Sequence, residues 1–277
     1  MNFPGSTRLA LLVGLVIALT GHLSASNLTC AGRLRIAASS SLDPILLTAI
    51  VILGVGFAGF LLYKDSVRTA NMETYARSLG VPFRRSPTTS DEHLPIGCSL
   101  EQTGYDHIIA NVLEAVRTED LVLTLFDYKY TPDSNALVFA ADLLASRIST
   151  TQTYEQTIAR IQSPLLKLPS FNLVPETIFK TVGKMFGGSD IDFPEAPGFN
   201  DQYILRGGNE AALRAIFTPA LRRFLQPLQH LTIEGADDVL FVYRWQRRSK
   251  DVGPLVEENK RILALFLEGQ LSIRPAV

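Results

Sequence analysis

The sequence predicts an α+β domain, a mainly antiparallel sheet with surface helices, preceded by one or two N-terminal transmembrane helices. Three observations lead there. Residues 44–63, PILLTAIVILGVGFAGFLLY, carry no charge from end to end, and Lys64, Asp65 and Arg68 follow closely. An α-helix rises about 1.5 Å per residue, so this run matches a hydrocarbon core of roughly 30 Å. Beyond it, apolar segments come in pairs joined by short polar turns, the spacing of hairpins. Helical segments with their own caps and stops stand apart from these pairs. Hairpins without strict strand–helix alternation favour antiparallel pairing.

A first apolar run, Leu9 to Leu19, follows Arg8. With the small residues Ser24-Ala25-Ser26 behind it, it reads as a signal peptide. Extended to Leu23, it reads equally as a short membrane helix. The chain therefore divides into 1–43 (signal-like or first transmembrane segment and a short outer loop), 44–63 (transmembrane helix) and 64–277 (soluble domain). Arg33 and Arg35 lie before the second run, whereas Lys64, Arg68, Arg77, Arg84 and Arg85 follow it. Excess lysine and arginine marks the cytoplasmic side. This places the expected anchor in an inner membrane with the domain in the cytoplasm. Gly54 and Ala58 form a small-xxx-small pair of the kind that packs membrane helices together.

In the domain, Val67 to Leu79 reads as a helix stopped by Gly80. The stretch from Val81 to Leu100, with three prolines, reads as a loop. His107–Val116 and Leu121–Tyr130 read as strands joined through Thr118-Glu119-Asp120. Both faces of the second are apolar, as in a central strand. Asn135–Ile148 reads as a short helix and Thr150–Ile161 as a strand. Leu165–Leu173 reads as an extended piece broken by Pro169. Pro175 is expected to open a helix stopped by Gly187-Gly188, since proline suits a first helical turn. Ser189 to Phe199 reads as irregular and acidic. Tyr203–Leu205 is a short strand, Asn209 caps a helix reaching Phe217, and Thr218 caps another with Pro219 at its first position. Leu231–Glu234 and Val239–Trp245 form a hairpin, and Val252–Leu267 is the last helix.

Composition excludes several classes. The net charge of −1 supplies no global basic field for nucleic acid, so none is expected as a partner. Cys30 and Cys98 fall on opposite sides of the expected membrane, which argues against a disulfide. His22, His93, His107 and His230 show no metal-ligand spacing, so no metal is expected. Gly187-Gly188-Ser189 follows a helix where a phosphate loop precedes one, and Gly207-Gly208-Asn209 lacks the longer fingerprint, so no cofactor is expected.

Four marks stand in order along the chain: Phe126-Asp127-Tyr128-Lys129-Tyr130, Leu168-Pro169-Ser170-Phe171 with Pro175-Glu176, Asp190-Ile191-Asp192-Phe193, and Tyr203-Ile204-Leu205-Arg206-Gly207. Together they resemble a family of uncharacterised bacterial membrane-anchored proteins, over roughly residues 64–267. The resemblance implies an N-terminal membrane helix with a cytoplasmic domain, and it brings no activity and no catalytic residues. The chain departs from that pattern at Asn135–Ile148, where the family has a short polar hairpin loop.

Candidate residues each carry two readings. Asp190, Asp192, Glu195 and Asp201 form the densest acidic cluster, which suits a divalent cation or a run of solvated caps. Asp127 lies inside an apolar strand, as a candidate acid or base, or as a structural group that pairs with Arg160 or Arg206 or accepts backbone hydrogen bonds. Arg244, Arg247, Arg248 and Lys250 surround Trp245, as a contact for anionic lipid or as a solvated hairpin end. Val138, Phe139 and Leu143 lie off the main helical stripe of 135–148, so that segment is expected to contact a partner or the membrane. The leading function is a membrane-anchored, non-enzymatic binding or scaffold module with the membrane and a protein as partners. The alternative is a membrane-bound hydrolase using Asp127 or the Asp190–Asp201 carboxylates.

Overall fold

The computed structural model describes residues 44–86, 98–131, 153–177, 190–245, 248–249 and 251–271. The chain forms two compact units, Met1–Ser66 and Val67–Val277. Helix α1, Pro44–Leu79, starts in the first and ends in the second. The two helices expected over 44–63 and 67–79 are thus one, because nothing between Tyr63 and Val67 breaks a helix: Lys64, Asp65 and Ser66 are charged or polar, and neither glycine nor proline intervenes. Among the described residues, no helix is long and apolar enough to cross a membrane. Side chains at 44–47, 50, 51, 58 and 61 of the expected span lie outside the described residues, as do 1–43.

Among the described residues, the second unit is built on one eight-stranded antiparallel sheet. Its strands are β1 (Phe83–Arg84), β2 (Tyr105–Arg117), β3 (Val122–Thr131), β4 (Tyr154–Gln162), β5 (Leu168–Pro175), β6 (Tyr203–Gly207), β7 (Leu231–Asp237) and β8 (Val239–Arg244), in the order β1-β2-β3-β4-β8-β7-β5-β6. A 3-10 turn at Ser99–Gln102 precedes β2. Among the described residues, the helices after α1 include α2 (Pro197–Asn200), α3 (Glu210–Ile216), α4 (Pro219–Leu225) and α5 (Val252–Leu271). The mainly antiparallel α+β class is therefore observed.

Alternation along each strand sends residues to two faces, and each face has its own core. On one, Leu123, Leu125, Ala159, Ile161, Leu173, Ile233 and Leu240 pack with Met72 and Ala76 of α1 and with Ile216, Leu221, Ile262 and Phe266. On the other, Phe126, Tyr128, Tyr130, Ile158, Phe241 and Tyr243 pack with Cys98 and Leu100. Strand β3 is central and buried on both sides, as its composition predicts. The caps form as expected: Asn209 accepts from the Ala212 amide at 3.1 Å and Thr218 from the Leu221 amide at 3.2 Å.

Two local expectations change. Pro175 closes β5, paired with Tyr203, instead of opening a helix; helical residues begin at Glu176, and 178–189 lie outside the described residues. Proline is tolerated there because a strand end need not donate to the ladder. The loop from Val81 contributes a two-residue edge strand, with Phe83 opposite Leu113. The helix expected at Asn135–Ile148, including Val138, Phe139 and Leu143, lies outside the described residues, as do Arg247 and Lys250.

Candidate functional site

Asp127 accepts four hydrogen bonds from three side chains. Its residue is 0% exposed. Arg68 donates to it through Nε at 3.2 Å and Nη2 at 3.1 Å, a fork that grips both oxygens. Asn111 Nδ2 donates to Oδ2 at 2.9 Å, and Thr157 Oγ1 donates to Oδ1 at 2.8 Å. Thr157 Oγ1 in turn accepts from Arg68 Nη2 and from the Ser249 amide, each at 3.1 Å. Asn111 reaches its place from a left-handed backbone at φ 53°, which asparagine tolerates better than most residues. One carboxylate thus ties α1, β2, β3, β4 and the turn before α5.

The partners expected for Asp127 were Arg160 or Arg206; the structure gives Arg68. Pleating gives the reason. Asp127 stands opposite Thr157 and faces the helices, whereas Arg160 stands opposite Thr124 and points to the other side. Arg206 lies on β6 at the far edge of the sheet.

The acidic cluster does not converge. Asp190 accepts from Arg206 at 2.5 Å, and Glu195 pairs with Arg222 at 2.7 Å. Asp192 offers its main-chain oxygen to Arg214 at 2.6 Å, and Asp201 is exposed. The Glu195 carboxyl is held below its usual range, first by a backbone hydrogen bond and then by Arg222. Among the described residues, no group of three His, Cys, Asp or Glu side chains is placed to hold a metal. Of the basic run, the two described arginines are paired with glutamates. Arg244 pairs with Glu258 at 2.9 Å and Arg248 with Glu155 at 2.6 Å. Both arginines line a groove of about 290 Å³ with Thr157, Ser249, Asp251 and Pro254.

A second groove, of about 300 Å³, opens on the sheet face away from the helices. Its residues come from a row across the sheet: Arg160 beside Phe241, Phe241 beside Glu234, and Glu234 beside Asn172. Val239, the last β7 residue Asp237 and the turn residue Asp238 also line it. Glu234 is occupied: it accepts from the Ser99 amide at 2.8 Å, the Ser99 hydroxyl at 2.6 Å and the Tyr243 hydroxyl at 2.5 Å. Arg160 is not. Among the described residues its one hydrogen bond goes from Nη1 to Gln162 at 3.0 Å, and its buried Nε has no partner. Burial lowers the pKa of its guanidinium, with only Asp238 opposing the shift.

Sequence reasoning considered Arg160 only as a partner for Asp127, and it missed Glu234 and Ser99 altogether. Period-2 alternation puts Arg160 on the face of Ile158, and only the register with β3 shows that this is the face away from Asp127. No local signal joins Ser99 to Glu234.

No family model matches the chain, and no curated protein matches it. Among solved structures, it is similar to the crystal structure of the mycobacterial trehalose monomycolate transport factor A, TtfA, at 10% identity and a TM-score of 0.45. The match covers 76% of this chain and 97% of that one. A likeness of this size carries no argument about function, and it does not bear on the family resemblance drawn from the four marks.

Proposed function

We propose that the chain is a membrane-anchored, non-enzymatic binding module, with residues 44–63 in the inner membrane and the α+β domain in the cytoplasm. The observation that carries the anchor is the surface of α1. Ile52, Leu53, Val55, Phe57, Phe60, Leu62 and Tyr63 are each 48–71% exposed. At 100° per residue they are spread over much of the helix circumference, so no single stripe collects them. A helix of that kind needs an apolar environment on all sides, and lipid supplies one. The lysines and arginines that follow give the orientation. The partners are the membrane and a protein at its inner face.

The hydrolase alternative rests on Asp127 or the Asp190–Asp201 carboxylates. Asp127 lines neither groove and spends both oxygens on neighbours, and the others pair with arginine or face solvent singly. A general acid or base must reach its substrate's proton, so binding is the reading these groups support.

The test uses the full chain with a reporter at Val277. Retention in the membrane after alkaline carbonate washing, with a reporter active only in the cytoplasm, is the expected result. Release into the wash, or a reporter active only outside, overturns the anchor or its orientation respectively.

A further inference from the structure

The groove on the open face of the sheet has chemistry that nothing above uses. Arg160 is half-buried, and a cation withdrawn from water normally takes a carboxylate partner. Among the described residues its one acceptor is the neutral amide of Gln162. Among the described residues none of the carboxylates around it accepts a hydrogen bond from it, and Asp238 acts on it only through space. Glu234 is held by Ser99 and Tyr243, and Asp238 accepts from Gln162 Nε2 at 3.0 Å. Asp237 stands exposed at the rim with a left-handed backbone, φ 51°. Phe241 supplies an apolar wall directly beside Arg160.

We propose that this groove binds a small zwitterion of the amino-acid type, its carboxylate on Arg160, its ammonium on Asp237 and its apolar group on Phe241. Three features select this class. The under-paired guanidinium asks for an anion, and a planar fork suits a carboxylate. Three lining acids, Glu234, Asp237 and Asp238, disfavour a ligand of net negative charge, so the anion must bring a cation with it. The volume of about 300 Å³ lies at the small end of ligand sites. The inference is independent of where the domain is anchored.

The experiment titrates the full-length chain in detergent micelles with L-phenylalanine by calorimetry. Phenethylamine and 3-phenylpropionate serve as half-ligands, each lacking one charge. L-Phenylalanine should bind saturably, and each half-ligand at least about tenfold more weakly, the size of one lost charged hydrogen bond. Arg160→Gln should weaken L-phenylalanine about ten- to a hundredfold with the circular dichroism spectrum unchanged. Asp237→Asn should weaken L-phenylalanine while leaving 3-phenylpropionate as it was. If Arg160→Gln fails to fold, Arg160→Lys keeps the charge and removes the fork, and it should still bind several-fold more weakly. No saturable binding of L-phenylalanine, equal affinity for all three probes, or unchanged affinity in both the Arg160 and Asp237 variants overturns the proposal.

Discussion

Asp127 and Arg68 form a buried pair whose members are 0% and 8% exposed. Removing one partner of such a pair leaves a charge without compensation, at a cost of about 3–5 kcal/mol. Asp127→Ala should therefore lower the denaturant midpoint sharply, whereas Arg68→Met with Asp127→Leu should recover much of the loss. A double variant no better than the singles would show that the pair's geometry, and not its charge balance, holds this region. Cys98 offers a second check. Burial raises its thiol far above the usual range, with Glu234 adding to the effect, so it stays protonated at neutral pH. The thiolate is the reactive form. Cys98 should resist maleimide in the native protein and react once the chain is unfolded, read site by site by mass spectrometry. Rapid native labelling at Cys98 would contradict its burial.

At the scale of elements, the contact of α5 with α3 depends on the absence of a side chain. A Cβ at Gly269 would collide with the main-chain carbonyl of Ile216, which cannot rotate away. Gly269→Ala should destabilise by about 1–3 kcal/mol, although alanine favours a helix more than glycine does. A stabilised variant in thermal melts would mean that the two helices do not approach so closely. The α1–β1 corner behaves differently. Glu73 takes Arg85 at 2.6 Å and Arg77 at 3.3 Å on an exposed surface. Its carboxyl is lowered, first by the Arg85 hydrogen bond. A depressed carboxylate stabilises above its unfolded pKa and loses that contribution as pH falls through the folded value. Acid should therefore weaken this corner, most clearly below about pH 4, and neutralising Glu73→Gln should flatten that part of the stability–pH curve.

For the whole molecule, the proposed anchoring rests on the apolar surface of α1. A charge placed mid-span costs about 2.5–3.5 kcal/mol on insertion scales. Val55→Arg combined with Phe57→Arg should move the full-length chain from the carbonate-resistant pellet toward the wash. Persistent retention of that variant would point to a different attachment. Val55 and Phe57 belong to the first unit, so the melting of the second should be unaffected.

What the sequence by itself determined were features set by near neighbours. The β2–β3 hairpin, the two-faced β3, the caps at Asn209 and Thr218 and the apolar period of α5 all follow from residues within a turn or two of each other. The helix start expected at Pro175 is displaced by one residue, since pairing with Tyr203 keeps Pro175 in the strand and helical residues begin at Glu176. Tertiary structure alone decided the partners. Arg68 reaches Asp127 across 59 residues, and Ser99 reaches Glu234 across 135. The order β4-β8-β7-β5 sets Arg160, Phe241, Glu234 and Asn172 side by side, although β5, β7 and β8 enter it out of chain order. Asp190 and Glu195, close in sequence, are drawn apart by arginines from β6 and α4. Charge and hydrogen bonding act through space, so sequence distance carries no record of which groups finally meet.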